Sequence, residues 1–358
     1  MTAAVPDSML AYRILGWQRP PELVEVPVPV PGPGEALIEV AGCGLCHSDL
    51  TMISMPGEIG EALGWTVPFT LGHETAGWVV ARGGHSDGVP PAVGDAVAVI
   101  STASCGACRW CAAGREALCP DGLVGRGYGR DGGLARFVVA PVRDLVPLGS
   151  FDPVLGGPLT DAGATSHHAV RRVARHLVDA PDGGAALVIG AGGLGAFVVQ
   201  LLRATTDATV VVVERDRGRR EVAAELGAHV VIDGVDRSTP RQVRDATDGG
   251  VDAVVDLVGS DDTIAAGLRS LAGGGAYAIV GAGGGALPSP AFSALPRETE
   301  IFTFQGSDRS DLQAVAALAA QGRLRVDIER FELAEVARAY ERLHDGELRG
   351  RAVVTPPR

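Results

Sequence analysis

Four cysteines within one short segment constrain the fold of this chain more than any other feature. They are Cys105, Cys108, Cys111 and Cys119, spaced C-x2-C-x2-C-x7-C. Tetrahedral zinc binds four thiolates at roughly 2.3 Å, and such a closed shell is structural because no position remains for a substrate. The alternative is a set of disulfides, which requires an oxidising compartment. Since the N-terminus shows no export segment, we predict a structural zinc site.

A second group of metal-binding residue types lies upstream of these cysteines. A catalytic zinc needs three protein ligands and one exchangeable position, and Cys46 and His73 are the natural first two. A ligating histidine usually donates its other N–H to a carboxylate, for which Asp49 or Glu74 is available. We interpret Cys43 as a packing residue; chelation by Cys43 together with Cys46 is the alternative.

A dinucleotide-binding pattern begins after residue 184. The apolar run 185–189 is followed by a GxGxxG turn and then by an amphipathic segment, which is the strand–turn–helix context that this motif requires. Glu214 follows the next apolar run, close to where an acidic side chain binds the adenosine ribose. An ordinary solvated charge is the alternative for Glu214. The residues expected to surround the pyrophosphate are Gly190, Gly192, Gly193, Leu194 and Gly195.

In combination, these motifs resemble those of zinc-dependent alcohol dehydrogenases of the medium-chain dehydrogenase/reductase superfamily. The matching stretches are GCGLCHSD at 42–49, LGHETAG at 71–77, the four cysteines, and VIGAGGLG at 188–195. The resemblance implies an α/β fold, with a doubly wound Rossmann sheet and a mostly-β, GroES-like catalytic domain. It also implies two zinc ions per subunit, NAD(H), hydride transfer between an alcohol carbon and the nicotinamide ring, and a homodimer or homotetramer.

The resemblance assigns the catalytic zinc to Cys46, His73 and Asp161, with Asp161 where many members have cysteine. A carboxylate is an acceptable zinc ligand, and the alternative for Asp161 is the N-cap of the following helix. Glu74 is expected to support the site or to act as an alternate ligand. The zinc is then expected to polarise the substrate oxygen as a Lewis acid.

The same resemblance implies the proton relay and the remaining cofactor contacts. Ser48 matches the hydroxyl that contacts the substrate oxygen and begins the relay. Thr51 stands where a histidine often ends it, so we expect the proton to leave through the cofactor ribose to Thr51 or a water, or through His47. The other matches are His47 and Arg351 for the pyrophosphate, Thr165 for the nicotinamide, Val280, Gly281 and Ala282 for the carboxamide, and Arg219 near the adenosine ribose.

Length and pattern predict two domains. A chain of 358 residues is longer than a domain with a single hydrophobic core usually is. Short Val-rich strands dominate the first part, and strands alternate with helices from about residue 162, which is typical of a parallel sheet. We expect a discontinuous catalytic domain at 1–162 and 305–358, where a helix and a final strand return, and an NAD-binding domain at 163–304. The active site is expected in the cleft between them.

Composition excludes several function classes. The formal net charge of −12 argues against nucleic acid or an anionic membrane surface as a partner. All 31 basic residues are arginine, so lysine Schiff-base chemistry is excluded. No apolar run reaches the roughly 20 residues of a membrane span. We expect a cytoplasmic protein that acts on a small molecule.

The substrate is less defined. Trp65 and Ile100 either line an apolar pocket or pack in the core, and the long connection 53–67 favours a bulky secondary or aromatic alcohol. Two alternatives differ in class. One is a zinc-containing reductase of an activated C=C or C=N bond, and the other is a non-enzymatic NAD-binding protein that has lost its chemistry.

Overall fold

The computed structural model describes residues 5–84 and 91–357. Residues 1–4, at the N-terminus where no export segment is predicted, lie outside the described residues. The chain divides into two compact units, the first formed by Met1–Ala164 with Gly306–Arg358 and the second by Thr165–Gln305.

The N-terminal part of the first unit is mostly β, as the Val-rich runs predict. Its strands are β1 (Ser8–Ile14), β2 (Glu22–Pro27), β3 (Glu35–Gly44), β4 (Phe69–Thr70), β5 (Glu74–Arg82), β6 (Ala96–Val99), β7 (Gly125–Arg126), β8 (Gly129–Arg130), β9 (Phe137–Pro141) and β10 (Leu145–Pro147). Its helices are short: α1 (His47–Ile53), α2 (Gly57–Ala62) and α3 (Arg109–Ala112).

The second unit alternates strands and helices. These elements are α4 (Ala164–Val178), β11 (Ala185–Ile189), α5 (Gly193–Thr205), β12 (Thr209–Glu214), α6 (Arg217–Glu225), β13 (Val230–Asp233), α7 (Thr239–Ala246), β14 (Val251–Asp256), α8 (Asp261–Ser270), β15 (Leu271–Ile279), α9 (Ala291–Ala294) and β16 (Glu300–Thr303). The strands form one parallel sheet in the order β13-β12-β11-β14-β15-β16. This is the Rossmann strand order, so the predicted fold class is confirmed.

The chain then returns to the first unit with α10 (Arg309–Ala320), β17 (Ile328–Glu332), α11 (Val336–His344) and β18 (Arg351–Thr355). The sequence predicted one helix and one strand in this segment, whereas the structure has two α-helices and two strands. β17 carries few apolar residues because it is the edge of the sheet, so its sequence lacks a clear strand pattern.

The main sheet of the first unit positions the metal-binding residue types. Its strand order is β10-β6-β5-β3-β18-β17, with β9 also paired to β3. In the antiparallel pair β3–β5, Cys43 lies opposite Thr75 and Gly44 lies opposite Glu74. Cys46, two residues beyond β3, and His73, one residue before β5, are thereby brought to the same end of the sheet. Among the described residues, no helix is both long and apolar enough to cross a membrane.

Candidate metal centres and nucleotide-binding turn

Cys46 and His73 are held by local backbone geometry. Cys46 is the N-cap of α1, and its backbone N–H donates to Asp49 Oδ2 at 2.9 Å. His73 follows Gly72, which has a φ of +95° and lies so close to Cys43 that an added Cβ would be 2.6 Å from the Cys43 sulfur. The buried Cys43 thus packs behind the site, which agrees with its interpretation as a packing residue.

One carboxylate lies directly beside the His73 ring. Its Nδ1 lies 3.0 Å from Asp49 Oδ1, so the carboxylate beside this nitrogen is that of Asp49, in an ion-pair contact rather than an aligned hydrogen bond. The other nitrogen, Nε2, lies 3.5 Å from Asp161 Oδ2. Burial lowers the pKa of His73, but Tyr128, Asp49 and Asp161 outweigh that effect and hold the pKa well above its ordinary value.

Cys46, His73, Glu74 and Asp161 form a cluster of potential ligands. Each offers one atom, and these atoms all lie within 4.8 Å of one another. Asp161 lies within a π-helical turn, Leu159–Gly163, that continues directly into α4. The N-cap alternative for Asp161 is therefore wrong, because the residue is already inside the helical segment. A thiolate, an imidazole and carboxylates are the donor types that zinc accepts.

Besides the donor types, the buried carboxylate of Glu74 indicates that this cluster fits a cation. Its side chain is fully buried, and its Oε2 has no hydrogen-bond partner among the described residues. Its Oε1 contacts the Arg351 guanidinium, which also donates to the Leu45 carbonyl at 2.9 Å. Burial raises the pKa of Glu74 to about 7, although Arg351 opposes this shift. Arg351 thus contacts Glu74, whereas its expected contact with pyrophosphate stays a prediction.

The expected relay residues share α1. Ser48 Oγ lies 3.4 Å from His73 Nε2, at the edge of the ligand cluster. His47 and Thr51 are exposed and stand four residues apart, on one face of α1. Sequence reasoning missed Tyr128, whose hydroxyl lies 3.2 Å from Ser48 Oγ. The available signal was an aromatic residue within a glycine-rich segment of the chain.

The four cysteines of the first motif converge. Their sulfur atoms lie within 4.8 Å of one another, and the closest separations are 3.6 Å for Cys108–Cys111 and 3.9 Å for Cys105–Cys111. All six cysteines are free, in disagreement with the disulfide alternative. Backbone N–H groups of Ala107 and Cys108 lower the pKa of Cys105 to about 6, which favours the thiolate that zinc binds.

The glycine turn joins β11 to α5 in the second unit, and its conformation depends on glycine. Gly190 has a φ of +89°, and a Cβ at Gly195 would collide with the Gly190 carbonyl. Glu214 is buried; its Oε2 accepts from the Ala191 N–H at 2.7 Å and its Oε1 from the Asp216 N–H at 2.8 Å. The alternative of a solvated charge at Glu214 is therefore wrong.

Three of the remaining predicted cofactor residues, Arg219, Val280 and Gly281, follow the carboxyl ends of strands of the second unit. Arg219 is in the first turn of α6, whose N-cap Asp216 accepts its backbone N–H at 2.8 Å. Val280 follows β15 and donates its N–H to the Asp256 carbonyl at 2.8 Å. Gly281 packs so closely on the 257–258 backbone that a Cβ would collide there. Thr165 is a buried residue of α4.

Trp65 packs in the interior of the first unit. It is a buried residue of the core of the first unit; its Nε1 donates to the Leu123 carbonyl at 2.6 Å, and its ring contacts Phe69 and Tyr128. Ile100 is likewise buried. The packing interpretation therefore holds for Trp65, whereas Ile100 also lines a small cavity together with Arg143 and Arg309. The apolar substrate pocket stays a prediction.

Comparison with known proteins agrees with this geometry. Residues 32–150 match the family model "Alcohol dehydrogenase GroES-like domain", and residues 193–321 match "Zinc-binding dehydrogenase". An NAD-dependent alcohol dehydrogenase of Saccharolobus solfataricus is 33% identical over 357 residues, which cover 97% of this chain and 100% of the relative.

Two solved structures show the same similarity in three dimensions. The alcohol dehydrogenase of Aeropyrum pernix has a TM-score of 0.86 and 33% identity over 97% of this chain and 100% of its own. Acetophenone reductase of Geotrichum candidum, in complex with NAD, has a TM-score of 0.84 and 27% identity over 99% and 98%. Because the similarity extends over nearly its whole length, the chain belongs to the zinc-dependent alcohol dehydrogenases of the medium-chain dehydrogenase/reductase superfamily.

Proposed function

We propose that this protein is a zinc- and NAD-dependent alcohol dehydrogenase that interconverts an alcohol and its ketone or aldehyde. The observation that carries the proposal is the cluster of Cys46, His73 and Asp161 beside the Ser48 hydroxyl. When bound, zinc supplies Lewis acidity to the substrate oxygen and the nicotinamide accepts or donates hydride. Both chemistries need a neighbouring group that moves one proton.

We propose two zinc ions per subunit. Cys46, His73 and Asp161 hold the catalytic ion, and Glu74 is close enough to act as an alternate ligand. The second, structural ion is held by Cys105, Cys108, Cys111 and Cys119. Its four-thiolate shell leaves no open position, so only the first cluster can receive substrate.

Ser48 is the residue that moves the proton. Its Oγ stands at the edge of the ligand cluster, so it can accept the alcohol proton during oxidation and return a proton to the carbonyl oxygen during reduction. His47 and Thr51 lie on the same helix and are both exposed. We propose that the proton leaves through one of them or through a water.

NAD is the proposed coenzyme. The turn at Gly190, Gly192, Gly193, Leu194 and Gly195 surrounds the pyrophosphate at the N-terminus of α5, where the helix dipole favours negative charge. Glu214 stands at the end of β12, where it accepts the ribose hydroxyls. A 2′-phosphate would meet this carboxylate, although Arg215 and Arg219 reduce the repulsion. His47, Thr165, Arg351 and residues 280–282 complete the proposed cofactor contacts.

The proposed substrate is a secondary or aromatic alcohol. The relative that acts on acetophenone, a ketone with a phenyl group, supports this substrate class. The partly exposed Tyr128 ring beside His73 offers an aromatic surface at the ligand cluster. Planar aromatic substrates pack well against such a ring.

A substrate panel tests the proposal. Primary, secondary, cyclic and aryl alcohols are each incubated with NAD and with NADP, and enals are incubated with NADH and NADPH. We expect turnover of secondary or aryl alcohols with NAD and two zinc ions per subunit by elemental analysis. Turnover of enals alone would indicate a C=C reductase, and no turnover with one zinc would indicate a non-enzymatic protein.

We also propose a homo-oligomer, dimer or tetramer, in the cytoplasm. The free cysteines fit a reducing compartment. In the second unit, Phe292 is fully exposed and Leu287 is about half exposed, so both side chains are accessible to a partner subunit. Light scattering coupled to size-exclusion chromatography measures the assembly; a monomer would contradict this proposal.

A further inference from the structure

A second hydroxyl reaches the proton-transfer residue. The Tyr128 hydroxyl lies 3.2 Å from Ser48 Oγ, and the Tyr128 ring centroid lies 4.5 Å from that of His73. Tyr128 therefore contacts both Ser48 and one residue of the ligand cluster. Nothing in the relay described above uses its hydroxyl.

The backbone fixes Tyr128 in this place. It lies between Gly127 and Gly129, with φ of +74° and +80°, and its N–H and C=O both pair with Gly125, at 2.9 and 2.8 Å. A Cβ at Gly127 would lie 2.8 Å from the carbonyl carbon of Gly72. The turn that carries Tyr128 thus packs directly on the segment that carries His73, so its hydroxyl is held in place before any substrate binds.

A serine hydroxyl needs such a neighbour to act in a relay. It has one O–H donor and two lone pairs, and its hydrogen rotates freely unless its partners fix it. A phenol is protonated at neutral pH, so its O–H can donate. If Tyr128 fills one lone pair of Ser48, the other is left for the alcohol proton, and the Ser48 O–H points to the next group of the relay.

We propose that Tyr128 is a positioning residue that acts through Ser48, an inference that rests on the proposed function. Its O–H donates to Ser48 Oγ and keeps its own proton throughout. Oxidation then moves one proton from the alcohol to Ser48 and one from Ser48 to the relay. The aromatic ring lines the site, but the positioning role belongs to the hydroxyl.

A double-mutant cycle tests this role. kcat and KM for a secondary alcohol with NAD are measured for the unmodified protein, Tyr128→Phe, Ser48→Ala and the double variant. One hydrogen bond corresponds to about a three- to tenfold effect, so we expect Tyr128→Phe to lower kcat by that factor with KM changed less than about twofold. In the Ser48→Ala background, the same change should alter kcat by less than about twofold.

Two further variants separate the hydroxyl from packing. Ser48→Thr keeps a hydroxyl, so the effect of Tyr128→Phe should return in that background. Tyr12→Phe removes a hydroxyl from another tyrosine of the first unit, one stacked on Tyr340, and should leave kcat unchanged. Zinc content and the melting temperature are measured for every variant.

Each other outcome overturns the inference. A Tyr128→Phe protein within twofold of the unmodified one would assign the residue to packing. An equal loss with and without the Ser48 hydroxyl would show that Tyr128 does not act through Ser48. Loss of zinc or of the fold in Tyr128→Phe would assign it to the ligand cluster. The proposed function itself fails only if the unmodified, zinc-replete protein oxidises no alcohol.

Discussion

The Nδ1 atom of His73 lies 3.0 Å from Oδ1 of Asp49, and both side chains are fully buried. The other oxygen of this carboxylate accepts the backbone N–H of Cys46 at 2.9 Å. Asp49 therefore contacts two of the three proposed zinc ligands, His73 at its ring and Cys46 at its backbone.

This relationship makes Asp49→Asn informative. The amide keeps the shape but loses the charge that orients and polarises the imidazole, so we expect the affinity of the catalytic zinc to fall about 10- to 100-fold. Competition with a chromophoric chelator measures it. The matched control is Asp131→Asn. Like Asp49, Asp131 accepts a backbone N–H; it contacts an arginine and lies outside the ligand cluster. Equal losses in the two variants would contradict the role of Asp49.

The two zinc ions should separate by mutation. Cys46→Ser or Asp161→Ala should abolish alcohol oxidation and leave a folded protein with about one zinc per subunit. Cys108→Ser should instead lower the melting temperature, by about 10 °C, because a structural site contributes directly to folding. Elemental analysis and calorimetry measure both effects. Full activity and two zinc ions in Asp161→Ala would show that Asp161 is not the third ligand.

Zinc binding by the four cysteines should depend on pH. Burial raises the pKa of Cys111 to about 12, so its thiol must release a proton when zinc binds. The pKa of Cys105 is about 6, so this residue is already a thiolate at neutral pH. We expect the affinity to fall at least about tenfold per unit as pH decreases toward 6, and more steeply below it. Titration of the Asp161→Ala protein isolates this site; a flat profile would contradict the account.

Coenzyme preference should follow Glu214. We expect NAD to be preferred over NADP by at least about tenfold in kcat/KM, roughly 1.4 kcal/mol. Glu214→Ser should shift the preference toward NADP, because the repulsion disappears while Arg215 and Arg219 remain. It should also lower stability by about 1–2 kcal/mol, since Glu214 accepts two backbone N–H groups. Glu221→Ser, an exposed charge of α6, is the control. Equal kcat/KM for the two coenzymes in the unmodified protein would show that Glu214 does not face the ribose.

Much of this architecture could be predicted from the sequence, because each motif requires a particular local structure. The GxGxxG turn must follow a strand and begin a helix, and it joins β11 to α5. The four cysteines are close enough in sequence for one segment to bring them together, as the structure shows. Asp161 was predicted as a zinc ligand from the family resemblance alone, since it lies far from Cys46 and His73 in sequence.

The features that could not be predicted depend on contacts between segments that are distant in sequence. Tyr128 meets Ser48 only because its turn packs on Gly72, and no local pattern encodes that meeting. The same is true of Arg351 and Glu74, which lie on strands that are far apart in sequence. Trp65 has the apolar character of a pocket residue and of a core residue alike, and only its buried position decides between them.

One measurement tests the central claim most directly: the rate of NADH formation from a secondary alcohol, followed in a single preparation before zinc removal, after removal by a chelator, and after zinc is returned. We predict turnover at first, its loss once the cluster of Cys46, His73 and Asp161 has been emptied, and recovery on addition of zinc. An undiminished rate in protein shown to lack the catalytic zinc would contradict the account.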